Sequence, residues 1–478
     1  MRAAQCNLQV SSLDMHIKTG FFLSLLLLFS TAKLTAQGYQ ALHGSAYTGS
    51  TAVFNNPASP VNSVHKWDLT LFSTQLKMTT NSLYLKSNNG TKELALKDDL
   101  NSKFNHANAD ASLFNFLYRI DDKSAVNFGI RARTYLHTKT APFRYTDSVT
   151  SLHSFLIANN NLPFVEGFAT QTGWLEADLN YSKVLFEDSR SRLSGGITFQ
   201  IMKGLSGAFV KLNRVSYFES KNATDTIFSL TDGSGSLGYS GNYDESTFKD
   251  FYKKSRTGLG LSMGIEYMTY NDETTAGVGN NSLNYDWKIG LSLMDLGANQ
   301  FSPGTASVEL FGPNFALTDA TIDRKLTGAP DLKSFKDSLR TVFTNSADIT
   351  APFSIANPTR LILNIDRNLG NHFYVNGELN MNFYSSSSYT KLRTRELNLL
   401  TITPRWETLN WGAYLPVQYN TQGQLWVGMA VKAGPLVVGF HNLGLLKKEP
   451  MLNGGGYLLL SIHPFNRRKV RDIMDCMD

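Results

Sequence analysis

Between His372 and Phe383 apolar and polar residues alternate without a break. Phe373, Val375, Gly377, Leu379, Met381 and Phe383 fall on one face of an extended chain, and His372, Tyr374, Asn376, Glu378, Asn380 and Asn382 fall on the other. About ten residues are enough for a tilted strand to cross a bilayer, so this segment predicts a membrane-crossing strand with one lipid face and one polar face. The same period runs through 174–182, 257–269, 285–294, 360–366 and 424–432. Less regular strands are predicted at 67–77, 110–119, 125–137, 192–203, 207–217, 397–406, 410–418, 435–443 and 456–464. The sum is about fourteen to sixteen strands, and the predicted fold is all-β, a transmembrane antiparallel β-barrel of about 14 strands spanning 67–465. A soluble sandwich is disfavoured because the strands are long and their apolar faces lack the mixture of small and large residues that a two-sheet core needs.

Aromatic residues stand near many predicted strand ends: Trp67, Tyr118, Tyr135, Trp174, Tyr267, Tyr285, Trp287, Phe383, Trp406 and Trp411. Rings at strand ends are what the two membrane interfaces select. Two stretches break the alternation. Residues 218–256 are polar and rich in Gly and Ser, and 300–356 are mixed, with a short amphipathic helix expected over 331–340. Both are expected as long loops at one end of the barrel, with short turns near 370 and 409 at the other.

The N-terminus changes the picture of the compartment. Lys18 precedes a short apolar run, Phe21 to Phe29, and small and polar residues lead to Ala36. This order reads as a secretory signal peptide over 1–36, cleaved after Ala36 to leave Gln37, with Met15 as an alternative start. Residues 37–66 then form an N-terminal plug-like segment. Pro57 and Pro60 exclude regular pairing, while Val53, Phe54 and Ala58 are poor company for water. The segment is expected to enter the barrel and pack on its wall, with Asn55 and Asn56 satisfying polar groups such as Glu176, Asp178 or Glu378.

Charge and cysteine count narrow the function classes. The net charge is +6, falling to about +4 without the signal peptide, and the basic residues are scattered apart from Arg467-Arg468-Lys469. Nucleic-acid binding wants a dense basic stripe, and export argues against it as well. Of the two cysteines, Cys6 lies in the leader, so Cys476 is the only mature thiol, and neither an internal disulfide nor a cysteine metal site is expected. No internal run reaches the ~18–20 apolar residues of a membrane helix.

Phe54-Asn55-Asn56-Pro57-Ala58, soon after a signal peptide, resembles the NPA element of exported barrels related to the fatty-acid transporter family. Leu291 to Gly297, Pro435 to Phe440 and Gly455 to Ile462 resemble strand elements of Bacteroidota outer-membrane barrels. Together they resemble domain-of-unknown-function family 5723 over about residues 40–465. The resemblance implies a barrel in the bacterial outer membrane, with the NPA segment inside it, and no established activity. Its implied partners are outer-membrane lipid, the barrel-assembly machinery and, through long loops, other envelope proteins. The last predicted strand ends at Phe465, and thirteen residues follow as a tail, 466–478.

The chain has no His-Glu-x-x-His helix, no Gly-x-Ser-x-Gly elbow and no phosphate-binding loop followed by Lys-Ser/Thr. Gly258, Gly260 and Gly264 lie on an alternating strand and read as small residues facing a crowded lumen. His372, His441 and His463 are isolated in sequence and read as strand or turn residues. The candidate catalytic, metal and cofactor sets are therefore all none. The candidate plug element is Phe54, Asn55, Asn56, Pro57 and Ala58, and the candidate lumen-lining residues are Glu176, Asp178, Arg360, Asp366 and Glu378. Three functions fit: a channel or transporter for small apolar or amphipathic molecules, a structural or secretion-linked barrel that binds envelope proteins through long loops, and a lipid-modifying barrel enzyme. The first two are favoured, and the chain is expected to be non-enzymatic.

Overall fold

The structure is a computed structural model that describes residues 40–88, 91–146, 148–221, 226–270, 283–385, 389 and 391–463. The expected signal peptide, Cys6, Cys476, Phe465 and the tail 466–478 lie outside the described residues. Among the described residues, fourteen antiparallel strands form a closed wall. They are β1 (Trp67–Thr80), β2 (Asn101–Arg119), β3 (Ser124–Phe143), β4 (Val165–Glu187), β5 (Ser191–Lys221), β6 (Thr257–Thr269) and β7 (Trp287–Phe301). The circuit continues with β8 (Arg360–Gly370), β9 (Phe373–Asn382), β10 (Leu399–Glu407), β11 (Trp411–Tyr414 and Val417–Asn420), β12 (Leu425–Val427 and Met429–Ala433), β13 (Leu436–Phe440) and β14 (Gly456–Ile462). Pairing of β1 with β14, from Leu69 opposite Ile462 to Gln75 opposite Tyr457, closes the ring and removes both sheet edges.

The alternation read from the sequence sets which face is inward. In β10, Thr401, Thr403, Arg405 and Glu407 are buried, whereas Leu400, Ile402 and Trp406 are exposed. In β6 the outward Leu259 is 71% exposed, and in β9 Glu378 is 2% exposed. A continuous exposed apolar belt around a closed sheet with a polar interior is tolerated in lipid and is an aggregation hazard in water. The molecule is thus a transmembrane barrel of the outer-membrane type.

Several expectations need correction. Segments 192–203 and 207–217 are one strand, β5, of 31 residues. The Gly204-Leu205-Ser206-Gly207 stretch, where the first predicted strand stopped and the second began, is absorbed by a bulge opposite Gly173 and Trp174. Of the expected interface aromatics, Tyr135, Trp174 and Tyr285 are buried and face the lumen. Tyr118, Tyr267, Trp287, Trp406 and Trp411 are exposed near the short-turn end.

The two long segments are not structureless. Residues 218–256 contain the end of β5, a strand Thr226–Tyr239 and a helix Phe248–Lys254. Residues 300–356 contain strands Val308–Pro313, Phe343–Asp348 and Phe353–Ala356 and helices Asp319–Thr327 and Leu332–Val342. The expected helix is therefore present, capped by the Asp331 carboxylate accepting from the Ser334 amide at 2.7 Å. The two segments pair directly, Val308 opposite Leu237 and Phe311 opposite Ser234, so they share one end of the barrel. They enclose a second apolar core of Val308, Leu310, Ile322, Val342 and Phe343. The opposite end has short turns at 120–123, 188–190, 371–372 and 408–410. In the first of the expected turns, Asn371 and His372 take φ of 49° and 68°, which suits a tight hairpin.

Candidate functional site: the filled lumen

Residues 40–66 run inside the barrel with three short 3₁₀ helices, Gln40–Leu42, Gly49–Phe54 and Ser59–Asn62. None of them joins the wall sheet; some backbone groups are satisfied within the segment, as in Asn56 N to the Ala52 carbonyl and Val64 N to the Ala46 carbonyl, and others need side chains. The wall supplies these side chains strand by strand. Asp68 of β1 accepts from the Ser50 amide at 2.7 Å, and the amides of Asn115 (β2) and Asn127 (β3) donate to the Ser50 carbonyl at 2.7 and 2.8 Å. Asn180 of β4 donates to the Pro57 carbonyl at 3.0 Å, and Ser194 of β5 lies 3.2 Å from Asn62 Oδ1. Glu266 of β6 accepts from Ser59 at 2.6 Å and Asn62 at 2.8 Å. Ser292 of β7 donates to the Asn55 carbonyl at 2.7 Å, and Asn364 of β8 to the Asn55 side chain at 2.8 Å. Glu378 of β9 accepts from Asn55 at 3.0 Å and lies 2.5 Å from His43, and Glu407 of β10 accepts from Ser45 at 2.7 Å. On the remaining arc, Ala41 and Leu42 join Tyr414, Ala430, Val437, Tyr457 and Leu459 of β11–β14 in one apolar cluster. All the hydrogen-bonding wall residues lie no more than seven positions from the short-turn end of their strands.

The Asn56-Pro57-Ala58 element rests on glycines of three neighbouring strands. Gly196 of β5 pairs with Gly264 of β6, which in turn lies opposite Ser292 of β7. A Cβ on Gly196 would stand 1.9 Å from the Pro57 carbonyl oxygen, one on Gly264 2.1 Å from Asn56 Oδ1, and one on Gly290 2.8 Å from Asn56 Nδ2. The absence of side chains there lets the segment approach the wall backbone, and Asn56 Nδ2 donates to the Ile265 carbonyl at 2.9 Å. Asn56 Oδ1 accepts from the Ala58 amide at 2.9 Å, which fixes the local turn. Gly264 thus meets the reading of a glycine facing a crowded lumen, and Gly258 and Gly260 are also buried, against Ala298 and Gln200.

A charged layer lies seven to eleven positions from the short-turn end. Arg131 Nε donates to Glu176 at 2.7 Å, and Asp110 is 3.6 Å from Arg131. Arg133 makes a two-pronged contact with Asp295 at 2.8 and 2.9 Å. Arg360 bridges Asp295 at 3.5 Å and Glu396 at 3.3 Å. Asp178 is buried two residues from Glu176 on the same face. Phe54 links the layers, its ring centred 4.0 Å from the Arg131 guanidinium. A separate buried group joins Arg405 to Asp366 at 2.6 and 2.8 Å and to Glu407 at 2.9 Å.

Residues 391–398, which lead into β10, pack against this layer. Thr394 and Arg395 are buried, Glu396 accepts from Asn108 at 2.9 Å, and Arg395 lies 3.8 Å from the centre of the Tyr389 ring. Two cavities within the lumen are about 30 Å³, beside Asn55, Asn56, Ser59 and Lys288, and about 20 Å³, beside Lys77, His106 and Arg395. Each is of the order of a single water.

The five candidate lumen residues are placed as follows. Glu378 meets Asn55, whereas Glu176 and Asp178 belong to the layer above and do not hold the Asn pair. Arg360 turns to Asp295 and Glu396, and Asp366 to Arg405, so these two strand neighbours have different partners. Sequence reasoning missed Arg131, Arg133, Asp295, Glu266, Arg405 and Glu407. The alternation within 125–137 already places Asn127, Arg131 and Arg133 on one face with Tyr135 and His137, and that signal could have found two of them.

Comparison with curated protein sequences returned no match. Among solved structures, the chain is similar to the toluene transporter TbuX of Ralstonia pickettii, at 12% identity over 87% of this chain and 94% of that one, with a TM-score of 0.41. It is similar to a FadL homologue of Pseudomonas aeruginosa at 11% identity, covering 90% and 98%, with a TM-score of 0.42. The toluene transporter TodX of P. putida gives 8% identity, 87% and 92%, and a TM-score of 0.41. The family of unknown function DUF5723 matches residues 57–441, most of the barrel and the NPA seat with it, and the chain belongs to that family.

Proposed function

We propose that the protein is an outer-membrane channel closed by residues 40–66, and that it opens to small amphipathic molecules when this segment leaves its glycine seat. The observation that carries the reading is the seat itself: Asn56-Pro57-Ala58 packs where Gly196, Gly264 and Gly290 leave room, and the surrounding wall spends polar side chains on the segment rather than on itself. Withdrawal would expose an apolar arc on β11–β14 and a polar arc on the other strands, a cross-section suited to a molecule with one apolar and one polar side. Phe54, Asn55, Asn56, Pro57 and Ala58 are then the plug element. Glu378 and Asp366 line the lower passage, and Glu176, Asp178 and Arg360 line the charged layer. Deleting residues 40–62 behind the intact signal peptide should leave a folded barrel with higher single-channel conductance in planar bilayers. An assembled deletion variant with unchanged conductance would refute the proposal.

A second reading is a barrel that binds another envelope protein at its long-loop end. The apolar core around Val308 and Phe343 favours it, because a passive pore does not require an independently packed cap. Deleting 314–341 should then abolish a stoichiometric envelope partner captured by cross-linking in intact cells, and leave conductance unchanged.

A further inference from the structure

We propose that the short helix Phe248–Lys254, outside the barrel wall, is a docking surface for the phosphorylated headgroups of outer-leaflet glycolipid. On β5, Gln200 and Met202 face the lumen at 4% and 0% exposure. The alternate residues Phe199 and Ile201 therefore face lipid, and Lys203 is the next outward position towards the long loops. The Lys203 ammonium lies 5.1 Å from the centre of the Tyr252 ring, which puts that helix on the outer surface at the upper edge of the lipid belt. Leu259 and Met263 of β6 continue the same belt below it.

The helix has the two faces that an interface demands. Phe248 is 82% exposed and stacks on Tyr252 one turn later, with ring centroids 6.4 Å apart. Tyr243, also exposed, meets Phe251 edge-on at 5.5 Å. Exposed rings at this height suit the boundary between acyl chains and headgroups. The other face carries Lys249, Lys253 and Lys254. Glu245 pairs with Lys254, whereas Asp250 and Asp244 accept from the hydroxyls of Thr247 and Tyr239 at 2.6 Å and keep their charge; against these three acids stand Lys203, Lys249, Lys253 and Lys254, so the surface stays net positive. Lys249 and Lys253 are exposed and have no ion-pair partner among the described residues. The platform is fixed: Asn242 donates to the Leu205 carbonyl at 2.5 Å and Ser255 to the Phe251 carbonyl at 3.0 Å. Long loops normally face outward in such barrels, so the leaflet beside this helix is the outer one. Unpaired ammonium groups above an aromatic rim complement phosphate above acyl chains in charge and in depth.

The test uses purified full-length protein in detergent, with bis-phosphorylated lipid A as probe and native mass spectrometry as readout. Each basic residue removed should weaken retention roughly fivefold, so Lys203→Glu, Lys249→Glu and Lys253→Glu together should lower it by about a hundredfold. Lys123→Glu, exposed in the short turn at the opposite end of the barrel, should change nothing. Dephosphorylated lipid A should bind wild type and variant equally weakly, and millimolar inorganic phosphate should not displace lipid A. Heat-modifiable gel mobility reports assembly. The milder Lys249→Gln, Lys253→Gln pair, on exposed side chains, serves if the triple variant fails to assemble. Retention within twofold of wild type in an assembled variant overturns the proposal, as does equal binding of dephosphorylated lipid. Displacement by inorganic phosphate would make this a free-phosphate site and overturn it too. None of these readouts depends on the channel opening.

Discussion

Gly196→Val would test the seat with one atom cluster. Already as alanine, the added Cβ would lie 1.9 Å from the Pro57 oxygen, 2.3 Å from its carbonyl carbon and 2.7 Å from the Ala58 nitrogen. Ordinary contact begins at about 3.4 Å, so the segment must retreat by roughly 1.5 Å. That movement stretches the 3.0 Å bond from Asn180 to the Pro57 carbonyl and the 2.9 Å bond from Asn56 to the Ile265 carbonyl. Two hydrogen bonds at ~0.5–1.5 kcal/mol each, with overpacking at ~1–3 kcal/mol, give a central loss of about 4 kcal/mol for the seated state. This corresponds to a rise of about a thousandfold in the unseated fraction. The wall should survive, because β5 is paired along both edges and Gly196 does not need positive φ. Single-channel recording should show more frequent openings, and hydrogen exchange at residues 49–62 should accelerate. Gly377→Ala, at an outward position whose nearest neighbour is the Ile365 oxygen at 3.8 Å, should behave as wild type. An assembled Gly196→Val protein with wild-type openings and wild-type protection would show that the seat does not control the segment.

Leu379→Arg, which places a charge on the lipid face of β9, should impair assembly by ~2–4 kcal/mol, and an unchanged yield of heat-modifiable barrel would contradict the assignment of faces. Asp295→Ala removes the two-pronged partner of Arg133, leaving it Glu176 at 3.6 Å, and leaves Arg360 only Glu396; the loss should be ~3 kcal/mol, the low end for a broken buried pair, measured as a lower denaturant midpoint, and a midpoint equal to wild type would mean that the layer is hydrated. Burial, with His463 and Lys432 nearby, holds the His65 imidazole down to about 3 against its ordinary 6.5. Its folded state therefore binds fewer protons than the unfolded one between those values, so seating at this point is full above about pH 6.5 and is lost as pH falls towards 3. Protection factors at residues 59–66, which correct for the slower intrinsic exchange of amides in acid, should be lower at pH 4.5 than at pH 7, and His65→Gln should remove that difference; an unaltered difference in the variant would assign it to other groups.

Alternation alone determined the wall. In 372–383 every second residue is apolar, and a pleated strand has no other way to divide them than between lipid and lumen. The same pattern placed nearly all the wall strands and the sidedness of the long and short connections. It failed at β5, because Gly204 to Gly207 carries turn composition and only the neighbouring strand shows that the chain runs straight through a bulge. It also misplaced Tyr135, Trp174 and Tyr285, since proximity to a strand end says nothing about which way a ring points. Pro57 and Pro60 were enough to keep residues 40–66 out of the sheet. Which wall groups receive them was decided by tertiary structure, because Asn55 and Glu378 are 323 residues apart and Arg133 and Asp295 are 162 apart. Such contacts depend on the stagger of fourteen strands around a closed ring. A shift of one residue in any strand turns its lumen groups into lipid, and a shift of two moves them about 7 Å along the axis to a different layer. Local composition carries the period of the strands, while the stagger that brings Gly196, Gly264 and Gly290 under the Asn56-Pro57-Ala58 element exists only once the ring is closed.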